Sequence, residues 1–103
     1  MTRPITRVAR VRIDPSMRFE LLEAYGAYAE AIVEDDDVLA WEICTEADDE
    51  NLIWIIATFP DAEAHARHMA HPATAEVLPV IQSAVVEPPT MTELISQHST
   101  RPG

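Results

Sequence analysis

Two histidines, His65 and His68, stand three residues apart, a spacing that puts both on one face of a helix. Imidazole titrates near neutrality, so His68, the first candidate, can accept a proton from a substrate at working pH. The same pair could begin a metal site, but no third ligand lies at a matching spacing, so none is expected. His71 precedes Pro72 and reads as shaping a turn, while His98 belongs to the C-terminal tail. Five rings, Tyr25, Tyr28, Trp41, Trp54 and Phe59, could line a slot for a flat aromatic ligand, where ring stacking adds about 0.5–1.5 kcal/mol beyond area burial. Core packing competes for each of them. Arg10 and Arg12 share a strand face with Val8, so either, Arg12 above all, can point into a cleft and steady an anionic oxygen; the competing role is a surface salt bridge to the acidic excess.

The elements that must hold these side chains follow from periodicity. Ile5 to Ile13 alternates as a strand, with Arg7, Ala9, Val11 and Ile13 on one face and Val8, Arg10 and Arg12 on the other. Asp14-Pro15-Ser16 ends it and opens a helix that Ser16 is expected to cap and that runs to about Val33. Leu21, Leu22, Tyr25, Tyr28, Ala29 and Ile32 form its apolar stripe, and Gly26 either weakens the helix or marks a close contact. Val38 to Thr45 and Leu52 to Phe59 read as a strand pair joined by an acidic turn, Glu46 to Asn51. The second of these strands has no polar side chain before Thr58, so both its faces need cover. One chain this short has helices for only one layer; a second copy packed sheet to sheet would supply the other, predicting a homodimer.

Pro60-Asp61 opens a helix to about Ala70, His71-Pro72 interrupts it, and a further helix runs from Ala73 to about Ser83, with Pro79 expected to kink or end it. After the rigid Glu87-Pro88-Pro89 turn, Met91 to Ser96 forms the last strand. The order β-α-β-β-α-β is the ferredoxin-like α+β arrangement, with an antiparallel sheet. The chain of 103 residues reads as one domain, with a core over about 5–96 and a disordered tail at 97–103.

Eighteen acidic residues face seven arginines and no lysine, for a net charge of −11. Such a field repels nucleic-acid backbones and anionic membranes. The acidic runs 34–37 and 46–50 lack the glycine and spacing of a calcium loop and read as solvated turns. Five arginines crowd the first 18 positions. The lone Cys44 reads as a buried, inert thiol. No apolar run reaches the ~18 residues of a membrane span, and no secretory signal opens the sequence, so a cytoplasmic location is expected.

Glu34, Leu39-Ala40-Trp41-Glu42-Ile43, Asp48-Asp49-Glu50-Asn51, Ile53 to Phe59, Asp61-Ala62-Glu63-Ala64, His68 and His71-Pro72 together carry a likeness. In that succession the chain resembles the antibiotic biosynthesis monooxygenase family, whose fold is a dimeric α/β barrel. Two positions depart. Asp35-Asp36-Asp37 stands where members commonly have proline and glycine, which should alter only a turn, and Ala57 stands where many carry a glutamate. Haem-degrading relatives are a poorer match, since the first strand lacks their asparagine and Phe59 replaces their tryptophan.

The resemblance implies a monooxygenase that uses neither metal nor flavin and acts on a hydroxylated aromatic, a quinol or a polyketide-derived substrate. Such substrates supply their own electrons to oxygen once deprotonated, so the protein needs an apolar pocket and a proton acceptor. His68 matches the family's histidine and is the expected catalytic base, with Trp41, Trp54, Tyr25, Tyr28, Phe59, His65 and Arg12 as substrate-binding residues. The alternatives are a cyclase or isomerase on the same fold, and a dimeric module that only binds a small apolar ligand.

Overall fold

The computed structural model describes residues 3–100. Its elements are β1 (Ile5–Arg12), a single 3-10 turn (Pro15–Met17), α1 (Arg18–Ile32), β2 (Ala40–Glu46), β3 (Asp49–Phe59), α2 (Ala62–Met69), α3 (Pro72–Ala84) and β4 (Thr90–Ile95). The four strands form one open sheet in the order β2-β3-β1-β4, with every neighbouring pair antiparallel. The helices form the second layer of a ferredoxin-like α+β fold. Residues 97–100 lie in neither helix nor strand; the rest of the expected tail, 101–103, lies outside the described residues. No described helix is long and apolar enough to cross a membrane.

The alternation in β1 decides which face of the sheet is the inner one. Val11 and Ile13 are almost fully buried in a core with Leu21, Tyr25, Tyr28 and Ile32 of α1, Ile53 of β3, and Ala73, Val77 and Ala84 of α3. Side chains two residues apart share a face, so Arg7 and Ala9 lie on this inner face too. The register then carries the face across the sheet, through Ala9↔Ile55, Arg7↔Ala57 and Trp41↔Ala57. Thr6, Val8, Arg10, Arg12, Leu52, Trp54, Ile56 and Cys44 take the outer face.

Several local expectations are revised. Ser16 does not cap α1: the Asp14 carboxylate accepts from the Ser16 N–H (2.9 Å) and hydroxyl (2.8 Å), which tightens the entry into a 3-10 turn. Gly26 marks no close approach, because a methyl group there would meet nothing within 4 Å. Helix α3 runs on past Pro79. The carbonyl that Pro79 leaves unbonded belongs to Ala75, which faces solvent where water can take it.

The acidic stretch read as a turn is mostly strand, with Glu46 pairing Asp49 across a two-residue tip. The crowded arginines explain this. Arg10 pairs with Glu46 (3.1 Å), Arg12 with Asp49 (3.0 Å), and Arg18 donates to the Glu50 carbonyl (3.2 Å), so the like charges of the hairpin are offset from the neighbouring strand and helix. Cys44 is half-buried rather than buried. Its pKa is nevertheless raised, by partial desolvation and by the neighbouring Glu42.

Candidate active site

An apolar cavity of about 250 Å³ opens between the inner face of the sheet and the three helices. Its floor is Arg7, Ala9 and Val11 of β1 with Ile55, Ala57 and Phe59 of β3; Trp41 and the helix side chains Tyr25, Tyr28, His65 and His68 wall it. Met69, Leu78 and Met91, all at least 42% exposed, give it an apolar mouth.

The rings are assembled by helical and strand spacing. Tyr25 and Tyr28 are neighbours on one face of α1 and meet edge to face at 5.8 Å. Trp41 packs against both, stacked on Tyr25 at 5.6 Å and tilted to Tyr28 at 5.1 Å. Phe59 ends β3 and lies 4.8 Å from His65 and 5.3 Å from His68, measured between ring centroids. Helix α2 presents both histidines because Asp61 caps it, its carboxylate accepting from the Ala64 N–H at 2.8 Å. His71 caps α3 in the same way, Nδ1 accepting from the Ala73 N–H at 3.0 Å.

His68 is only 3% exposed, and both its ring nitrogens are engaged. Nε2 is hydrogen-bonded to the Tyr28 hydroxyl, and Nδ1 lies 3.3 Å from Asp35 Oδ2. A carboxylate only accepts, so the imidazole proton sits on Nδ1 and the Nε2 lone pair receives the Tyr28 O–H. The result is a Tyr28–His68–Asp35 chain, with the tyrosine toward the cavity and the carboxylate behind. Burial raises the pKa of Tyr28, a hydrogen bond with Thr74 partly opposes this, and the Asp35 charge adds to the rise; burial pushes Tyr25 up to about 12. His65 is held below the ordinary imidazole value by desolvation and by the nearby Arg7, which favours its neutral form.

Asp35 is the residue that sequence reasoning missed. Two of the three aspartates do more than reshape a turn: Asp35 reaches His68, and Asp37 holds Arg67, the residue before His68, through a two-pronged pair at 2.7–3.0 Å.

Of the expected site residues, Tyr25, Tyr28, Trp41, Phe59, His65 and His68 come together around the cavity. Trp54 and Arg12 do not join them. Both stand on the outer sheet face, where the Trp54 indole donates to Glu46 (2.8 Å) beneath the Arg10 guanidinium, and Arg12 pairs with Asp49 and Glu87. The cation on the cavity side is Arg7. Among the described residues no group of three or more His, Cys, Asp or Glu side chains is placed to hold a metal ion.

Solved structures share this fold over nearly the whole chain. A Nitrosomonas europaea protein named for antibiotic biosynthesis monooxygenases superposes with a TM-score of 0.89 at 12% identity, covering 97% of this chain and 96% of its own. Rv0793 from Mycobacterium tuberculosis gives 0.85 at 16% identity, covering 94% and 98%. An antibiotic biosynthesis monooxygenase gives 0.81 at 20% identity, covering 87% and 95%. No curated protein matches the sequence. The family model described as antibiotic biosynthesis monooxygenase matches residues 4–78, well over half of the chain, and the chain belongs to that family.

Proposed function

We propose that the protein is a cofactor-independent monooxygenase that oxidises a small hydroxylated aromatic or quinol-like substrate in the cavity beside Tyr28. The observation that carries this reading is the Tyr28–His68–Asp35 chain at the wall of a largely apolar cavity. The substrate hydroxyl gives its proton to the Tyr28 oxygen as the Tyr28 proton passes to His68 Nε2. Asp35 stabilises the imidazolium that forms. The raised pKa of Tyr28 keeps its hydroxyl protonated at rest, so it conveys a proton without standing ionised.

The substrate anion then transfers an electron to dioxygen, and the radical pair collapses to form a carbon–oxygen bond. The resulting peroxide takes up a proton and loses water, leaving a new carbonyl. One oxygen atom ends in the product and the other in water, with all electrons coming from the substrate. Apolar walls favour this by excluding water from the anion. A volume near 250 Å³ is below the ~300–1,000 Å³ of sites for drug-sized ligands, which favours one ring or two fused rings.

A homodimer belongs to the same proposal. Val8, Trp54 and Ile56 leave a half-exposed apolar strip on the outer face of the sheet, and a second copy packed there would complete the two-layer cover.

Oxygen consumption by the purified protein with a one- or two-ring quinol or naphthol tests the chemistry. One dioxygen taken up per carbonyl formed is expected. Conversion of substrate without oxygen uptake would instead support a cyclase or isomerase, and tight binding with no conversion would leave a binding module.

A further inference from the structure

Four side chains form a row across the inner face of the sheet, and the first three of them line the cavity. Trp41 on β2 is opposite Ala57 on β3, Ala57 is opposite Arg7 on β1, and Arg7 is opposite Glu93 on β4. Strands lie about 4.8 Å apart, so the Trp41 and Arg7 backbones are separated by about 10 Å. Between them is only the methyl group of Ala57. A flat ring lying on Ala57 therefore has the indole of Trp41 at one edge and the Arg7 guanidinium at the other.

Arg7 is unusual in this setting. The chain carries a net charge of −11, yet among the described residues no carboxylate lines the cavity and Arg7 is the one permanently charged residue that does. Its partner, Glu93, approaches only to 3.6 Å and is about half exposed. Among the described residues, the Arg7 side chain makes no hydrogen bond. A planar fork of five donors, matched to two oxygens of one group, thus borders a largely apolar slot with none of its donors hydrogen-bonded. An exposed ion pair of such length contributes little, so Glu93 can swing to solvent when a better-placed anion arrives.

We infer that Arg7 selects substrates bearing a carboxylate on the ring, and that Glu93 holds the guanidinium in place until such a ligand displaces it. The inference rests on the proposed oxygenase reading only for what happens to the ligand afterwards; the recognition is a matter of binding. The preferred ligand is then a hydroxyarene carboxylic acid, with its carboxylate on Arg7.

Calorimetric titration with 6-hydroxy-2-naphthoate and with neutral 2-naphthol tests this at pH 8, where His65 is uncharged. The naphthoate should bind the wild-type protein at least about tenfold more tightly, the usual worth of a charge-assisted hydrogen-bonded pair. Arg7→Met should erase that preference while retaining affinity for 2-naphthol, which also verifies that the variant is folded. Arg7→Lys should keep part of it, since the charge remains but the fork is lost. Glu93→Gln should tighten naphthoate binding and leave 2-naphthol unchanged. Equal wild-type affinities, failure of both compounds to bind, or a preference that survives Arg7→Met would overturn the assignment. Absence of oxygen uptake alongside an intact Arg7-dependent preference would sink the oxygenase reading and support the anion site.

Discussion

Replacing Tyr28 by phenylalanine isolates the proton-transfer step from the packing around it. The ring keeps its contacts with Tyr25, Trp41 and His68 at 5.8, 5.1 and 5.9 Å, so no cavity is created. What is lost is one buried hydrogen bond to His68 Nε2, with a net worth of about 0.5–1.5 kcal/mol. Against a typical domain stability of about 5–15 kcal/mol the variant stays folded, and at a urea slope of about 1–1.5 kcal/mol/M its midpoint should fall by about 0.3–1.5 M. The chemical step should suffer far more. General acid–base transfer contributes ~10²–10⁴-fold, equivalent to about 2.7–5.4 kcal/mol of activation free energy. Oxygen uptake under saturating substrate should therefore drop at least a hundredfold in a protein whose urea midpoint has moved only modestly. A Tyr28→Phe variant with the wild-type rate would refute the relay, and if His68→Ala were inactive in the same assay, the histidine would have to take the proton directly.

Further outcomes follow from other parts of the structure. Asp35→Asn retains an acceptor for His68 Nδ1 but removes the charge that stabilises the imidazolium, so turnover should fall about tenfold or more while the unfolding free energy stays within ~1 kcal/mol of wild type; unchanged turnover would remove Asp35 from the mechanism. Ile56→Asp, on the outer face, should convert a dimer seen by light scattering into a monomer, because an unpaired carboxylate in an apolar contact costs several kcal/mol. A wild-type protein that is already monomeric would contradict the sheet-to-sheet packing. Phenolate absorbance should report both tyrosines as resistant to alkali, since Tyr25 is pushed up to about 12 and Tyr28 is also raised. The unfolded chain loses these protons first, near the ordinary value of 10.0, so their contribution to stability is intact below pH 10 and is lost as pH climbs toward 12. Half of the phenolate signal appearing at pH 10 in the folded protein would show that one ring is not buried as described.

Much of the fold was legible because each element carries its own period. The stripe of α1 placed Tyr25 and Tyr28 together, and the His65/His68 spacing placed both imidazoles on one helix face. Strand alternation also grouped Trp41 with Ile43 and Trp54 with Ile56, but a period of two marks faces without saying which is inner. The two tryptophans ended on opposite sides for that reason. Arg7 was readable by parity, being in step with Val11 and Ile13, yet its charge directed attention to Arg10 and Arg12, whose partners Glu46 and Asp49 draw them to the far face. Asp35 was beyond local reading. Its role depends on a loop after α1 meeting a helix 33 residues later, a contact that only the assembled core creates.

The grip of Arg67 on Asp37 sits at the surface, with the two side chains 59% and 26% exposed, while one residue along the helix His68 meets Asp35 in near-complete burial. The inner contact is thus latched from outside. Mobile ions reach the outer pair and weaken it, although they cannot reach the inner one. Raising the ionic strength should loosen the 33–39 loop as a local opening well before global unfolding. On the proposed activity, turnover would be lost in concentrated salt while the circular dichroism stayed native, and it would recover fully on dilution.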